Sequence, residues 1–228
     1  MSEEQLPQAY RDGKVDFYGR EFLATPDVLI PRPETEQAID LVKLLAGLSI
    51  LPGVKASERR LPDKPRILDV GTGSGCIAVT LKLEIPKAEV VAIDVSDAAL
   101  SVAQKNAERF GAEVKFLRSD LLEKVEGEFD VVVANLPYVD RSWEWLKEPE
   151  SAGLKYEPEL ALYAGDGGCA LIFELLKQVR GRTEYLIIEA DPCQHTRIVE
   201  RAKEAGFNLI KTSGFQLLFG LFGVFGKS

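Results

Sequence analysis

From Arg66 onward, short β-branched runs alternate with amphipathic helical stretches, an order that a parallel sheet with helical crossovers satisfies. Arg66–Val70 reads as a strand, Ser74–Ile85 as a helix ended before Pro86, and Ala88–Asp94 as a second strand. A helix follows over Ser96–Phe110, with Ser96 at its N-cap, Asp97 in its first turn and Gly111 closing the far end. Glu113–Leu117 and Phe129–Ala134 predict a third and a fourth strand, the latter apolar enough to be covered on both faces. After an irregular stretch from Asn135 to Gly168 the pattern resumes with a helix at Cys169–Val179, a strand at Tyr185–Glu189 and a helix from Pro192 to Ala205. Leu209–Thr212 and Leu217–Val224 are read as a terminal antiparallel hairpin, because Gly220, Gly223 and Gly226 argue against a helix. The expected fold is α/β: a Rossmann-like, seven-stranded, mostly parallel sheet with an antiparallel C-terminal hairpin.

Upstream, Glu34–Ala46 predicts a helix that buries Ile39, Leu41, Val42, Leu44 and Leu45, with Pro33 at its first turn after the rigid segment LIPRP. Ser49–Pro65 is a loop rich in proline and charge. The chain therefore divides into a short N-terminal segment (1–30), a leading helix and loop (31–65) and the sheet domain (66–228).

Of 228 residues, 46% are hydrophobic and 28% charged, which excludes a disordered or coiled-coil chain. A formal net charge of −8 repels a phosphate backbone and counts against nucleic acid as a partner. Cys76, Cys169 and Cys193 are widely spaced and His195 is the one histidine, so a reducing compartment and no structural metal are expected. The polar, acidic beginning has no secretory character. The apolar stretch Phe215–Phe225 is broken by glycines and shorter than the roughly 20 residues of a bilayer span. A cytoplasmic protein without a membrane segment is the expectation.

The segment ILDVGTGSGC places Asp69 near a strand end, then Gly71, Thr72, Gly73, Ser74 and Gly75 at the opening of a helix. Glycines there let a ligand approach the backbone, although a tight strand-to-helix turn alone would explain them. The second strand ends at Asp94, where a carboxylate can accept both hydroxyls of a ribose, and Ser119 and Asp120 follow the third strand, placed to meet an adenine. A nicotinamide dinucleotide would want a third glycine one residue later, with its pyrophosphate on the helix amino terminus. The early glycine and the acid Asp69 before the loop favour a cationic ligand without phosphates, namely S-adenosylmethionine.

The fourth strand runs into Asn135, Leu136, Pro137 and Tyr138, beyond the carboxyl end of the sheet where ligands of such folds bind. The Asn135 carbonyl and a main-chain carbonyl held by Pro137 are two acceptors for an NH2 group, and Tyr138 offers a face for a planar group. Two acceptors on one nitrogen would orient its lone pair toward a methyl donor, so catalysis would be positioning and electrostatics. A strand-end asparagine that merely caps a turn before proline is the plainer alternative. An amide nitrogen needs no base before attack, so the structural reading of His195 is no objection. Cys76 reads as a small packing residue, and Glu144, Glu148 and Glu150 as a solvated face. Trp143 and Trp145 either cover a substrate or anchor their loop.

In order and spacing, YGREFLATPDVLIPRPETEQAI, ILDVGTGSGCIAVTL, AIDVSDAAL, DVVVANLPYV and YEPELALYAGDGG resemble the HemK/PrmC family, protein glutamine methyltransferases acting on peptide-chain release factors. The resemblance covers roughly Tyr18 to Gly168, and LIPRPETE with EPELAL is its most specific part. It implies an S-adenosylmethionine-dependent methyltransferase fold in which Gly71 to Gly75 and Asp94 hold that cofactor, with Asp120 or Leu121 near the adenine. Asn135 to Tyr138 would hold the target glutamine, and Pro31, Arg32, Pro33, Glu34 and Thr35 would line or brace its pocket. An adenine amino-methyltransferase and a non-catalytic S-adenosylmethionine-binding module are the rival readings. Against the family pattern, Leu136 stands where proline is usual, no glycine follows Glu189 closely, an arginine near Phe222 is missing, and the helical N-terminal docking domain is not evident.

Overall fold

A computed structural model describes residues 6–48 and 61–222. Residues 49–60 of the predicted loop, and Gly223, Val224 and Gly226 of the predicted hairpin, lie outside the described residues. The sheet contains β3 (Arg66–Val70), β4 (Glu89–Asp94), β5 (Val114–Arg118), β6 (Phe129–Ala134), β7 (Thr183–Glu189), β8 (Phe207–Ser213) and β9 (Gln216–Leu221), in the order β5-β4-β3-β6-β7-β9-β8. β3 to β7 pair in parallel, and β9 runs antiparallel between β7 and β8. The order reverses beside β3, so the chain ends of β3 and β6 open a crevice at that point.

Side-chain alternation along the strands feeds two cores. Ile67, Val131, Val133 and Ile187 face α2 (Glu36–Leu45) and α3 (Cys76–Glu84). Leu68, Val132, Leu186 and Ile188 face α6 (Ala170–Gln178) and α7 (His195–Glu204). Covering on both faces is why these strands read as unbroken apolar runs. α4 (Asp97–Phe110) begins as expected, with the Ser96 hydroxyl accepting from Ala99 N at 3.2 Å, and ends at a left-handed Gly111. In the stretch from Asn135 to Gly168 the structure adds 3-10 turns at Glu144–Lys147 and Pro149–Tyr156 and a short α5 (Glu159–Leu162).

The N-terminal segment carries more structure than its sequence suggests. α1 (Gln8–Asp12) precedes a hairpin of β1 (Lys14–Phe17) and β2 (Arg20–Leu23). Its two-residue turn places both Tyr18 and Gly19 at positive φ, a pattern that pairs well with strand twist but gives few sequence cues when the first residue is tyrosine. Tyr18 is held there by α2: its N–H donates to Glu36 Oε1 (2.7 Å) and its hydroxyl to Asp40 Oδ1 (2.8 Å). Phe17 and Phe22 are buried in the core beneath.

After β2 the chain runs along the carboxyl edge of the sheet, pinned at both ends. Asn106 of α4, fully buried, accepts from Leu23 N (2.8 Å) and donates through Nδ2 to Leu23 O (3.2 Å) and Ser74 O (2.8 Å). Glu157 accepts from Ile30 N (3.0 Å) and from the Arg32 guanidinium, and the Tyr10 hydroxyl donates to Val28 O (2.6 Å). Replacing Asn106 by alanine strands three backbone groups of this anchor, so Asn106→Ala is expected to lower unfolding free energy by about 3 kcal/mol in urea titrations.

Candidate functional site

Parallel pairing sets Val70 opposite Ala134 and Ala134 opposite Ile188, so the turn after β3, Asn135 and Glu189 lie side by side. Two chambers meet there. The first, ≈ 280 Å³, is lined by Gly71, Thr72, Gly73, Ser74, Asp94, Ser119, Asp120, Leu121, Asn135, Leu136 and Pro137, and by Asp27, Pro31, Arg32 and Thr35 of the N-terminal strap. The second, ≈ 450 Å³, is lined by Arg32, Glu34, Asn135, Leu136, Tyr138, Trp143, Trp145, Glu189 and Asp191. Asn135, Leu136 and Arg32 belong to both walls.

The loop after β3 is drawn onto β4 by Gly71 N and Thr72 N, which both donate to Ile93 O at 2.9 Å. Asp94 closes it from the far side: Oδ2 accepts from Gly73 N and Oδ1 from Ser96 N, each at 2.9 Å. At Leu121 the backbone sits at φ 42, an unusual conformation for a leucine, where its side chain reaches the wall of the first chamber. Leu136 is 5% exposed, packed in the core beside Gly71.

Three expected site residues are placed elsewhere. Asp69 points with Ile67 toward α3, is 0% exposed and lines neither chamber. Its Oδ2 accepts from Thr72 Oγ1 (2.6 Å) and from Ala78 N (3.2 Å), so it caps the first turn of α3 and tethers the loop from below. Gly75 faces α4, where a Cβ would stand 3.0 Å from Ala103 Cβ at φ +80, so this glycine permits close helix packing instead of ligand contact. Pro33 is exposed at the first turn before α2 and lines neither chamber.

Asn135 Nδ2 donates to Thr35 Oγ1 at 3.1 Å, which leaves its carbonyl oxygen for a ligand. Tyr138 donates its hydroxyl to Glu189 Oε1 (3.4 Å), and burial together with the Glu189 charge pushes the phenol's pKa up. Glu189 is 2% exposed; burial raises its pKa, opposed by hydrogen bonds from Thr35, Gln216, Tyr138 and Asn135. Gln194 fixes the loop after β6, donating to Tyr138 O (2.8 Å) and Gly167 O (2.7 Å). Beneath it, Gly168 has no room for a side chain, since a Cβ would fall 1.9 Å from Tyr138 O.

Glu189, Gln194, Glu157 and Asn106 were not singled out by sequence. Glu189 carried a positional signal, its place at the carboxyl end of a parallel strand, and Glu157 opened the EPELAL segment without being given a role. His195 Nε2 lies 3.1 Å from Ala190 O and His195 lines neither chamber, whereas Cys76, buried at the start of α3, borders the first chamber with its thiol pushed up to about 12 by burial. Trp143 and Trp145 stand with ring centroids 5.9 Å apart on the wall of the second chamber. Glu144 and Glu148 are exposed, and the side chain of Glu150 lies outside the described residues.

Sheet order, the glycine loop after β3, the acid that ends β4 and Asn-Leu-Pro-Tyr after β6 together define a Rossmann-like fold of the methyltransferase class. The model of the family Methyltransferase small domain matches residues 54–145. A crystal structure of a methyltransferase from Pyrococcus furiosus shares the fold at a TM-score of 0.61 and 19% identity, covering 89% of each chain. A release factor glutamine methyltransferase from Koribacter versatilis is 42% identical over 180 residues, 76% of this chain and 57% of that protein. One from Neisseria gonorrhoeae is 36% identical over 224 residues, 96% of this chain and 74% of that protein. The chain belongs to the release factor glutamine methyltransferase family. It spans little more than half the length of the Koribacter relative.

The environment of Asp69 has a measurable consequence. Burial raises its pKa from 3.8 to about 7, against the lowering hydrogen bonds of Thr72 and Ala78, while Asp94 adds to the rise. Between those values the folded chain keeps a proton that the unfolded chain releases, so this group makes stability fall as pH rises from about 4 to about 7. Asp69→Asn is expected to remove up to about 4 kcal/mol of that slope, read as the difference between wild-type and variant urea unfolding across this pH range.

Proposed function

We propose that this protein transfers a methyl group from S-adenosylmethionine to the side-chain amide nitrogen of a glutamine in the Gly-Gly-Gln loop of a peptide-chain release factor. The observation that carries the reading is the meeting of two chambers at Asn135 and Leu136. A donor held in one and an amide held in the other would face each other across these two residues.

The first chamber suits the cofactor. Its charged side chains are Asp27, Asp94 and Asp120 against Arg32, and Arg32 is already paired with Glu157. Three carboxylates disfavour phosphates and favour a cation. Asp94 would take the ribose hydroxyls, the main chain of Gly71 to Ser74 the amino-acid end, and Asp120 and Leu121 would flank the adenine. The bound cofactor supplies an electrophilic methyl group.

In the second chamber, the Asn135 carbonyl and the Leu136 main-chain carbonyl would each accept one hydrogen of the target NH2. Tyr138, its ring held through Glu189, would stack on the amide plane. Transfer would break the sulfonium–methyl bond of the donor, leaving a neutral thioether, as the nitrogen–methyl bond forms and one of the two amide protons passes to solvent, and the Asn135 and Leu136 carbonyls would hold the nitrogen aligned meanwhile. Alignment of this kind is worth about 7–11 kcal/mol of barrier in well-ordered sites. Pro31, Glu34 and Thr35 would brace the pocket, and Trp143 and Trp145 would cover it. Both chambers carry more carboxylates than cations, which disfavours a nucleic-acid substrate.

Among the described residues no helix is long and apolar enough to cross a membrane, and no cluster of three metal-ligating residues occurs. A release factor substrate would place the protein in the cytoplasm.

The test is transfer of labelled methyl groups to intact release factor, to the same factor with its loop Gln changed to Ala, and to DNA. Label confined to the intact factor is the expected result, and label on DNA alone overturns the reading. Asn135→Ala should lower turnover by about 10²–10³ while calorimetric cofactor affinity stays within a few fold.

A further inference from the structure

An asparagine holds a target amide only when its carbonyl end faces it, yet the two ends of the side chain are nearly isosteric and exchange by a half-turn. What sets the direction at Asn135 is therefore a separate question, and it deepens the reading given above, on which it rests. Thr35 alone cannot set it. A hydroxyl donates or accepts according to how it rotates, so it would partner either end of Asn135 equally well.

Glu189 breaks that symmetry. Its carboxylate is nearly fully buried at the end of β7, and both of its oxygens face donors. Donors converge on it from three separate segments: the turn before α2, the loop after β6, and β9. Gln216 of β9 donates to Oε2 at 2.6 Å and Tyr138 to Oε1 at 3.4 Å, and the polar groups of Thr35 and Asn135 stand close enough to the carboxylate to favour its charged form. With the Thr35 proton directed at Glu189, the Thr35 oxygen presents a lone pair, and Nδ2 of Asn135 meets it at 3.1 Å. The asparagine carbonyl is then turned to the junction of the chambers.

We infer that Glu189 is a positioning residue for methyl transfer: as an acceptor it orients Thr35, Asn135 and Tyr138 so that the Asn135 carbonyl faces the target amide. A glutamine at this place has nearly the same shape but brings a donor among donors. Thr35 then rotates to satisfy it, and the Asn135 amide loses its reason to point one way.

The test compares wild type, Glu189→Gln and Thr35→Val as full-length chains. Side-chain amide signals of Asn135 are followed by ¹⁵N NMR without substrate, and kinetics are followed on a Gly-Gly-Gln peptide. In Glu189→Gln the Asn135 NH2 pair should shift and lose its protection from hydrogen exchange. Its kcat should fall about 100-fold, the loss typical of one misdirected oxyanion-type contact, with cofactor affinity within twofold of wild type. Should Glu189→Gln fail to fold, Thr35→Val carries the test, with the same spectral change and a kcat lowered about tenfold. Unchanged Asn135 signals and kcat in a folded variant overturn the inference. Loss of kcat, cofactor affinity and fold in parallel also overturns it, as the mark of a merely structural carboxylate. If the wild type leaves the peptide unmethylated while the Asn135 signals respond to Glu189→Gln, the orientation role stands and the assigned substrate falls.

Discussion

Everything in the site depends on the parallel pairing of β3 with β6, the two strands that flank the reversal of strand order. Because helices on opposite sides carry the chain away from these strands, no crossover connection covers their carboxyl ends, and an opening remains. The register then decides what stands at its rim. With Val70 opposite Ala134, the glycine loop and Asn135 leave the sheet together, and with Ala134 opposite Ile188, Glu189 arrives one place further on. A slip of one residue would turn Asn135 into the opposite core, since side chains alternate faces along a strand. The apolar residues on both faces of β6 resist such a slip, so burial in the two cores also holds the chemistry in place.

A second layer of order comes from three carboxylates taken out of water. Asp69 ties the glycine loop to α3, Glu157 ties the N-terminal strap to the loop before α5, and Glu189 gathers donors beneath Asn135. Asp69 does so locally, accepting from the loop and helix that follow it, while Glu157 and Glu189 accept from segments distant in sequence; in each case a buried acid specifies one arrangement of loops despite its desolvation cost. Only Glu157 has a cation for a partner, and that cation, Arg32, lies on the rim shared by both chambers. The N-terminal strap thus becomes a wall of the site through polar contacts, where an apolar seam would have left its position along the groove undefined.

The sheet was legible in sequence because each strand is a short β-branched run between glycine or proline signals, and the caps of α4 were legible for the same local reason. The N-terminal hairpin was not. Its turn uses Tyr18 at positive φ, a choice sustained only by Glu36 and Asp40, which come from α2. The residues at the ends of β3, β4 and β6 that line the two chambers were expected there from position alone. The acids were harder to sort. Asp94 and Asp69 look alike on paper, each near the end of a parallel strand, yet Asp69 lies one residue further inside β3 and so faces α3 from within the core. Gly75 looked like Gly73, but its demand comes from Ala103, 28 positions along the chain, a contact no local pattern encodes.

Leu136 shows how one departure from a family pattern is absorbed. A proline at this place would stiffen the loop through its fixed φ, and leucine gives up that restraint. Here the side chain is buried among the residues packed against α6, and a methyl carbon comes close enough to Gly71 that a Cβ there would stand 3.0 Å away. Loss of ring rigidity is offset by packing, with roughly 1.5–3 kcal/mol of burial available to a leucine. The same contact makes the two loops move as one, because displacing Leu136 would open a void against the glycine loop. The main-chain carbonyl after Asn135 is therefore held by the core, while Pro137 fixes the next residue.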